Sequence, residues 1–236
     1  MAESVLLADV GNSRVKLSQL GQAQVVAFDW QCKDGRKQLR NWVEENLPAR
    51  IVVASTSPRA DEILHATVWQ GLPLQQLYTA DVPLEILTEG TGMDRLLSAW
   101  VIWQQGQCAA LIADCGTAFT VDFVDANGRF HGGAIGAGLS VQERALAKSC
   151  PHLDLPVAAD TAIPNNTAGA VYAGTTIAMA LAIEGLAQRF EQEQVCEATR
   201  FLSGGDSPRL QEFLAAWQRR DNLVLEALAL YVQSGR

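Results

Sequence analysis

One short pattern occurs twice in this chain, half a chain apart: Leu6-Leu7-Ala8-Asp9-Val10-Gly11-Asn12-Ser13 and Leu111-Ile112-Ala113-Asp114-Cys115-Gly116-Thr117-Ala118. Each copy runs apolar, apolar, Ala, Asp, any residue, Gly, then small residues. The apolar run reads as a buried strand that delivers an aspartate at its carboxyl end. The glycine lets the backbone turn sharply and bring its N–H groups close to a phosphate. Asp9 and Asp114 are then placed to hold a metal ion, or water on a metal, facing those phosphates. A single strand ending in Asp-x-Gly is an ordinary turn. Two copies in corresponding places call for a duplicated domain with a nucleotide held between the halves.

The chain has 236 residues, enough for two domains, and the duplication divides it at 1–106 and 107–236. With 48% hydrophobic and 19% charged residues it has the composition of a folded globular protein. A net charge of −8 argues against a nucleic-acid partner, since counterion release needs clustered Lys and Arg. The five cysteines form no C-x-x-C pair, and the three histidines have no metal spacing, so reduced cytosolic thiols and no zinc site are expected. No signal peptide is read at the N-terminus, because Asp9 cuts the apolar run short and no basic segment precedes it. The charge-free stretch from Thr167 to Ile183 is rich in Ala, Gly and Thr and reads as a closely packed helix rather than a membrane span. A cytoplasmic protein is expected.

Patterning makes the chain α/β. Each loop is followed by a strand and a hairpin, at Gly21-Gln22 in the first half and Asn127-Gly128 in the second. Leu39, Trp42, Val43 and Leu47 recur at helical spacing, with Pro48 closing that helix, and Ile51-Val52-Val53-Ala54 is a buried strand. A helix starts near Met93, a long one runs from about Thr167 to Gln192, and strand Arg200-Phe201-Leu202 leads into Ser203-Gly204-Gly205-Asp206. That last turn is compatible with a third nucleotide-facing loop.

Kinase chemistry needs phosphates held in line, cations to spread charge, and a base to orient the acceptor hydroxyl. Asp94, in Thr91-Gly92-Met93-Asp94-Arg95, is the candidate base, and Arg95 can clamp a substrate carboxylate. Thr91-x-x-Asp94 also has the form of a capping box, so a structural role for Asp94 stays open beside the catalytic one. Thr167 likewise reads either as an N-cap or as a substrate contact.

With these residues in place, the chain resembles the type III pantothenate kinases of the acetate and sugar kinase/actin superfamily. Asp9 through Lys16, Gly92-Met93-Asp94-Arg95, Asp114 through Asp122 and Gly132-Gly133-Ala134-Ile135 carry the resemblance, with weaker echoes at Asn166-Thr167, Ser203 to Asp206 and Leu223 to Glu226. The resemblance implies two ribonuclease-H-like domains and phosphorylation of pantothenate to 4'-phosphopantothenate, the first step of coenzyme A biosynthesis. It implies that Asp9, Val10, Gly11, Asn12, Ser13, Arg14, Val15, Lys16 and Thr117 contact ATP, and that Gly92, Met93, Asp94, Arg95 and Thr167 contact pantothenate. Asp94 would be the proton acceptor, and Asp114 would bind potassium or ammonium, required beside magnesium. A homodimer is implied, with the small-residue face of the long helix suited to close packing. The chain departs from the family pattern at Ala137, at Leu87-Thr88-Glu89 where an aromatic is usual, and at Ala227. Tyr78 or a residue of a partner subunit is left to supply the aromatic. Another superfamily kinase and a non-catalytic regulatory factor are the competing readings, and Gly92-Met93-Asp94-Arg95 speaks against the first.

Overall fold

A computed structural model describes residues 4–158 and 161–235. The chain divides into two compact units, one made of Met1–Leu84, Glu89–Gln104 and Asn222–Arg236, the other of Glu85–Thr88 and Gln105–Asp221.

In the first unit, β1 (Val5–Val10), β2 (Arg14–Gln19) and β3 (Val26–Asp29) form an antiparallel meander. Helix α1 (Lys33–Asn46) follows, capped by the Cys32 sulfur over the Gly35 amide, and it buries Leu39 and Val43. It ends at Leu47 in the left-handed region, one residue before Pro48, whose ring cannot continue a helix. Strand β4 (Arg50–Ser55) pairs parallel with β1, then Ser57 caps α2 (Pro58–Thr67), and β5 (Leu74–Gln76) adds the edge. The order is β3-β2-β1-β4-β5. Central β1 and β4 are near-continuous apolar runs because both of their faces are covered. After a short 3-10 turn at Thr79–Asp81, β6 (Glu85–Ile86) belongs to the second unit, and α3 (Met93–Gly106) begins in the first.

The second unit repeats the plan. Strands β7 (Ala110–Cys115), β8 (Ala118–Val124) and β9 (Arg129–Ala137) are an antiparallel meander, with Asn127-Gly128 in the turn and Gly128 at φ 77°. The glycine-rich segment 132–138 is therefore mostly strand. Helix α4 (Leu139–Ser149) follows, then α5 (Thr167–Tyr172), a π turn (Ala173–Ile177) and α6 (Ala178–Gln194), which run on as one helix. Strand β10 (Thr199–Ser203) pairs parallel with β7, followed by α7 (Ser207–Leu210) and β11 (Gln218–Arg219). The order β11-β10-β7-β8-β9 matches the first sheet strand for strand, with β6 added beside β9. Duplication in sequence is thus duplication in topology.

The last helix, α8 (Leu223–Gln233), departs from the expected division at residue 107. It packs on β1, β2 and β4 and belongs to the first unit. The cause is its apolar face of Leu223, Val224, Leu225, Leu228 and Tyr231, all buried, which covers the first sheet.

Candidate active site

The first loop is a tight turn at the end of β1. The Gly11 N–H donates to the Arg14 carbonyl at 3.0 Å. The Trp30 indole donates to the Gly11 carbonyl at 2.9 Å, and the Gln31 amide donates to the Asn12 carbonyl at 2.9 Å. Val10 and Val15 are fully buried and anchor the turn from both sides. Asn12 and Arg14 are exposed, and Lys16 faces Asp9 across the ladder, which sets a cation beside the carboxylate.

Within the same unit this loop meets Gly92-Met93-Asp94-Arg95. The Thr56 N–H, at the end of β4, donates to the Val10 carbonyl at 3.0 Å. A Cβ built on Gly92 would lie 3.8 Å from the Thr56 methyl and 2.7 Å from Asp94 Oδ1. Parallel pairing of β1 with β4 therefore brings the Asp-x-Gly turn and the start of α3 together, with Thr56 between them. The sequence pattern ends this strand at Ala54 and marks no site residue just beyond it. Trp30 and Thr56 carry no local signal, because their role arises from strands paired across the sheet.

Asp94 lies in the first turn of α3, and its Oδ1 accepts from the Arg95 N–H at 2.8 Å. The helix begins at Met93, so Asp94 supports the helix start from inside it. Burial pushes its carboxyl above the ordinary 3.8; the Arg95 N–H bond and the Arg95 charge oppose this without cancelling it. Met93 is buried and anchors the motif, while Arg95 is half-buried. Tyr78, on the 3-10 turn, is 65% exposed, as an unfilled aromatic contact would be.

In the second unit the loop after β7 is closed by Gly116 N–H donating to the Ala118 carbonyl at 2.9 Å and Gly138 N–H donating to the Thr117 carbonyl at 3.0 Å. Gly138 is indispensable here, because a Cβ would lie 1.9 Å from the Gly116 carbonyl oxygen. Ala137 before it is exposed and tolerates the family departure. Thr117 is exposed at the loop tip. Asp114 pairs across the sheet with Thr120 on one side and Ser203 on the other. The buried Thr120 hydroxyl has no hydrogen-bond partner among the described residues, so hard oxygen donors gather around Asp114. Cys115 is buried, and its thiol is held protonated by burial and by the charges of Asp114 and Asp206. It is a core residue.

The third glycine turn lies against this loop. Asp206 N–H donates to the Cys115 carbonyl at 2.9 Å, and Gly204, at φ +91°, has no room for a Cβ over Cys115. Asn166, not Thr167, caps the long helix, its Oδ1 accepting from the Gly169 N–H at 2.8 Å. Thr167 is thereby the first helical residue, and it is exposed.

A sheet of this order, present twice, with an Asp-x-Gly turn at the same strand end in each copy, defines an actin-like fold of the sugar-kinase class. Solved structures agree. An archaeal actin homolog aligns over 99% of both chains with a TM-score of 0.51 at 12% identity. A conserved Campylobacter jejuni protein, described as a Baf family transcriptional activator, aligns over 98% of both with a TM-score of 0.73 at 18% identity. The family model for type III pantothenate kinase matches residues 5–189, and the type III pantothenate kinase of Gloeobacter violaceus is 32% identical over 223 residues, covering 89% of each chain. The chain belongs to the type III pantothenate kinase family.

Proposed function

We infer that this chain transfers the γ-phosphoryl group of ATP to the primary hydroxyl of pantothenate. Family membership supports the reaction, and Asp94 carries the mechanism. A carboxylate whose pKa is raised by burial is a better-matched base near neutral pH than an ordinary aspartate. In the step itself the hydroxyl oxygen attacks the γ-phosphorus, its proton passes to Asp94, and the bond to the β,γ-bridging oxygen breaks to leave ADP. Arg95 offers two parallel N–H donors to the pantothenate carboxylate, and Thr167 offers a hydroxyl to its polar backbone. The backbone N–H groups of the first loop and the exposed Thr117 receive the phosphates, with Lys16 adding charge.

The residues present fit both metals of the reading. No group of three or more His, Cys, Asp or Glu among the described residues could cage a metal. Magnesium keeps its waters and takes one or two carboxylates plus substrate phosphates, a demand that a single strand-end carboxylate such as Asp9 meets. Asp114 with the Thr120 hydroxyl suits potassium or ammonium. Bound there, such cations spread the charge of the transferring phosphoryl group.

A homodimer and a cytoplasmic location complete the reading. Ala170, Gly174, Ala178 and Ala182 line up at four-residue spacing and are exposed, while Thr175, Thr176, Met179, Ala180, Ile183 and Ala187 bury the opposite face of the helix. Residues Thr167–Gln194 are long and apolar enough to cross a membrane, but that buried face is packed in the unit's own core. The test is ATP-dependent phosphate transfer measured across pantothenate, sugars and small acids, in potassium, ammonium and sodium salts. Turnover of pantothenate alone, lost in sodium and restored by ammonium, is expected. Turnover of a sugar, or of nothing, overturns the reading, and equal rates in all three salts remove the monovalent cation.

A further inference from the structure

Among the ionic clusters of the second unit that no step above uses, one adjoins the third glycine turn. It centres on Arg209, in the short helix that follows the third glycine turn. One nitrogen of its guanidinium, Nη2, donates to Glu143 Oε1 on α4 at 2.6 Å and lies 3.4 Å from the hydroxyl of Thr176 in the π turn. The other, Nη1, lies 3.9 Å from Asp206 Oδ1 at the end of the glycine turn. Thr176 is fully buried, and the π turn continues the helix that starts at Thr167. A second tie runs alongside: the Tyr172 hydroxyl donates to Glu212 Oε1 at 3.1 Å, and its ring lies 6.4 Å from that of Phe213. Asp206 is in turn held to the second phosphate loop through its N–H on Cys115.

One planar cation thus touches three elements with different duties: the third glycine turn, the helix led in by Gly138, and the helix of Thr167. A π turn stores an extra residue in a helix and is frequent where a helix has been adjusted for function. Arg209 reaches the adjusted segment. Without its charge, the carboxylates of Asp206 and Glu143 face each other with like sign. The three oxygens it faces, on Glu143, Thr176 and Asp206, also need a fork that lysine lacks.

We propose that Arg209 is a positioning residue for phosphoryl transfer: it fixes the third glycine turn against the second phosphate loop and against the Thr167 helix, so that nucleotide and acceptor affinity both depend on it. The proposal rests on the pantothenate kinase reading. Its test compares wild-type enzyme with Arg209→Gln, Arg209→Lys and Arg209→Gln/Glu143→Gln. Binding of a fluorescent N-methylanthraniloyl-ATP is measured without acceptor, and KM and kcat for both substrates are measured separately. Arg209→Gln is expected to weaken nucleotide binding and raise KM for pantothenate, each about 5- to 20-fold, with kcat changed less. Arg209→Lys should fall between it and wild type, and the double variant should recover part of the loss by removing the facing charge. Folded Arg209→Gln protein with nucleotide affinity and both KM values within about twofold of wild type overturns the proposal. If that variant does not fold, Arg209→Lys decides, and unchanged affinity and KM values overturn it equally. Wild-type protein that binds the nucleotide analogue but turns over no pantothenate refutes the kinase reading instead. The effect of Arg209→Gln on analogue binding then still decides the nucleotide half of the proposal.

Discussion

Asp94 is half-buried, and the catalytic duty proposed for it pulls against the fold. Its carboxyl holds a proton more readily in the folded chain than in the unfolded one. The stability this contributes is therefore complete below the ordinary value of 3.8 and is lost as pH rises through the raised folded value. Wherever the group is ionised in the folded chain, its burial is a burden on the fold. Asp94→Asn should cut kcat by about 10²–10⁴-fold, as for loss of a general base. The same variant should melt no lower than wild type at pH 7, with any advantage shrinking in acid. Near-normal turnover would leave Asp94 a helix-start residue only. In wild type the acid limb of kcat/KM should inflect above the usual carboxylate range, and an inflection at or below it would remove the burial argument. Gly92 supplies a finer test. Its missing Cβ leaves the 2.7 Å gap to Asp94 Oδ1, and the atom in the way is the end of a side chain rather than backbone. Gly92→Ala should therefore fold normally yet lose about tenfold or more in kcat as the carboxylate is displaced. A fully active Gly92→Ala enzyme would show that the position of Asp94 is not critical.

Among the elements, the glycine turns are where fold and site coincide. Gly204→Ala must accommodate both φ +91° and a Cβ 2.3 Å from the Cys115 carbonyl oxygen. It should destabilise by about 1–3 kcal/mol, with the melting temperature lower by several degrees and nucleotide binding weakened. An unchanged melting temperature would mean that the turn is not clamped to the second loop. Much of this level was legible in the sequence. The Asp-x-Gly pair announced two equivalent strands, Asn127-Gly128 a hairpin, and Pro48 the end of α1, because each signal is local. Three features were not legible. Trp30 over Gly11 depends on a meander that brings residues nineteen apart together. Asn166 takes the cap that Thr167 could also have taken, since both residue types serve. The π turn leaves no mark, because Ala173-Gly174-Thr175-Thr176-Ile177 reads equally well as a regular helix.

For the whole molecule, the first question is how many copies work together. Apart from the helix's own backbone, no atom of the described residues lies within 4 Å of a Cβ built on Gly174, so one subunit alone has room for a larger side chain there. Gly174→Leu should keep its melting behaviour as a monomer. If the small-residue face is the dimer contact, it should overpack that contact by about 1–3 kcal/mol. Light scattering would then show a concentration-dependent shift towards 25.5 kDa, with pantothenate binding weakened and ATP binding retained. Wild-type active enzyme at 25.5 kDa would dismiss the dimer. A second consequence of scale lies in the route of the chain. Helix α8 follows every strand of both sheets in the chain, yet Leu223, Val224, Leu225, Leu228 and Tyr231 cover β1, β2 and β4, which lie far ahead of it. On the ribosome the opening sheet must therefore wait, its apolar face uncovered, until the closing residues emerge, while the intervening unit has all of its strands in hand sooner. A nascent chain halted just before Asn222 presents a complete second unit joined to a first that still lacks α8, and the loss of that helix is felt on the strand of Asp9 rather than on the strand of Asp114.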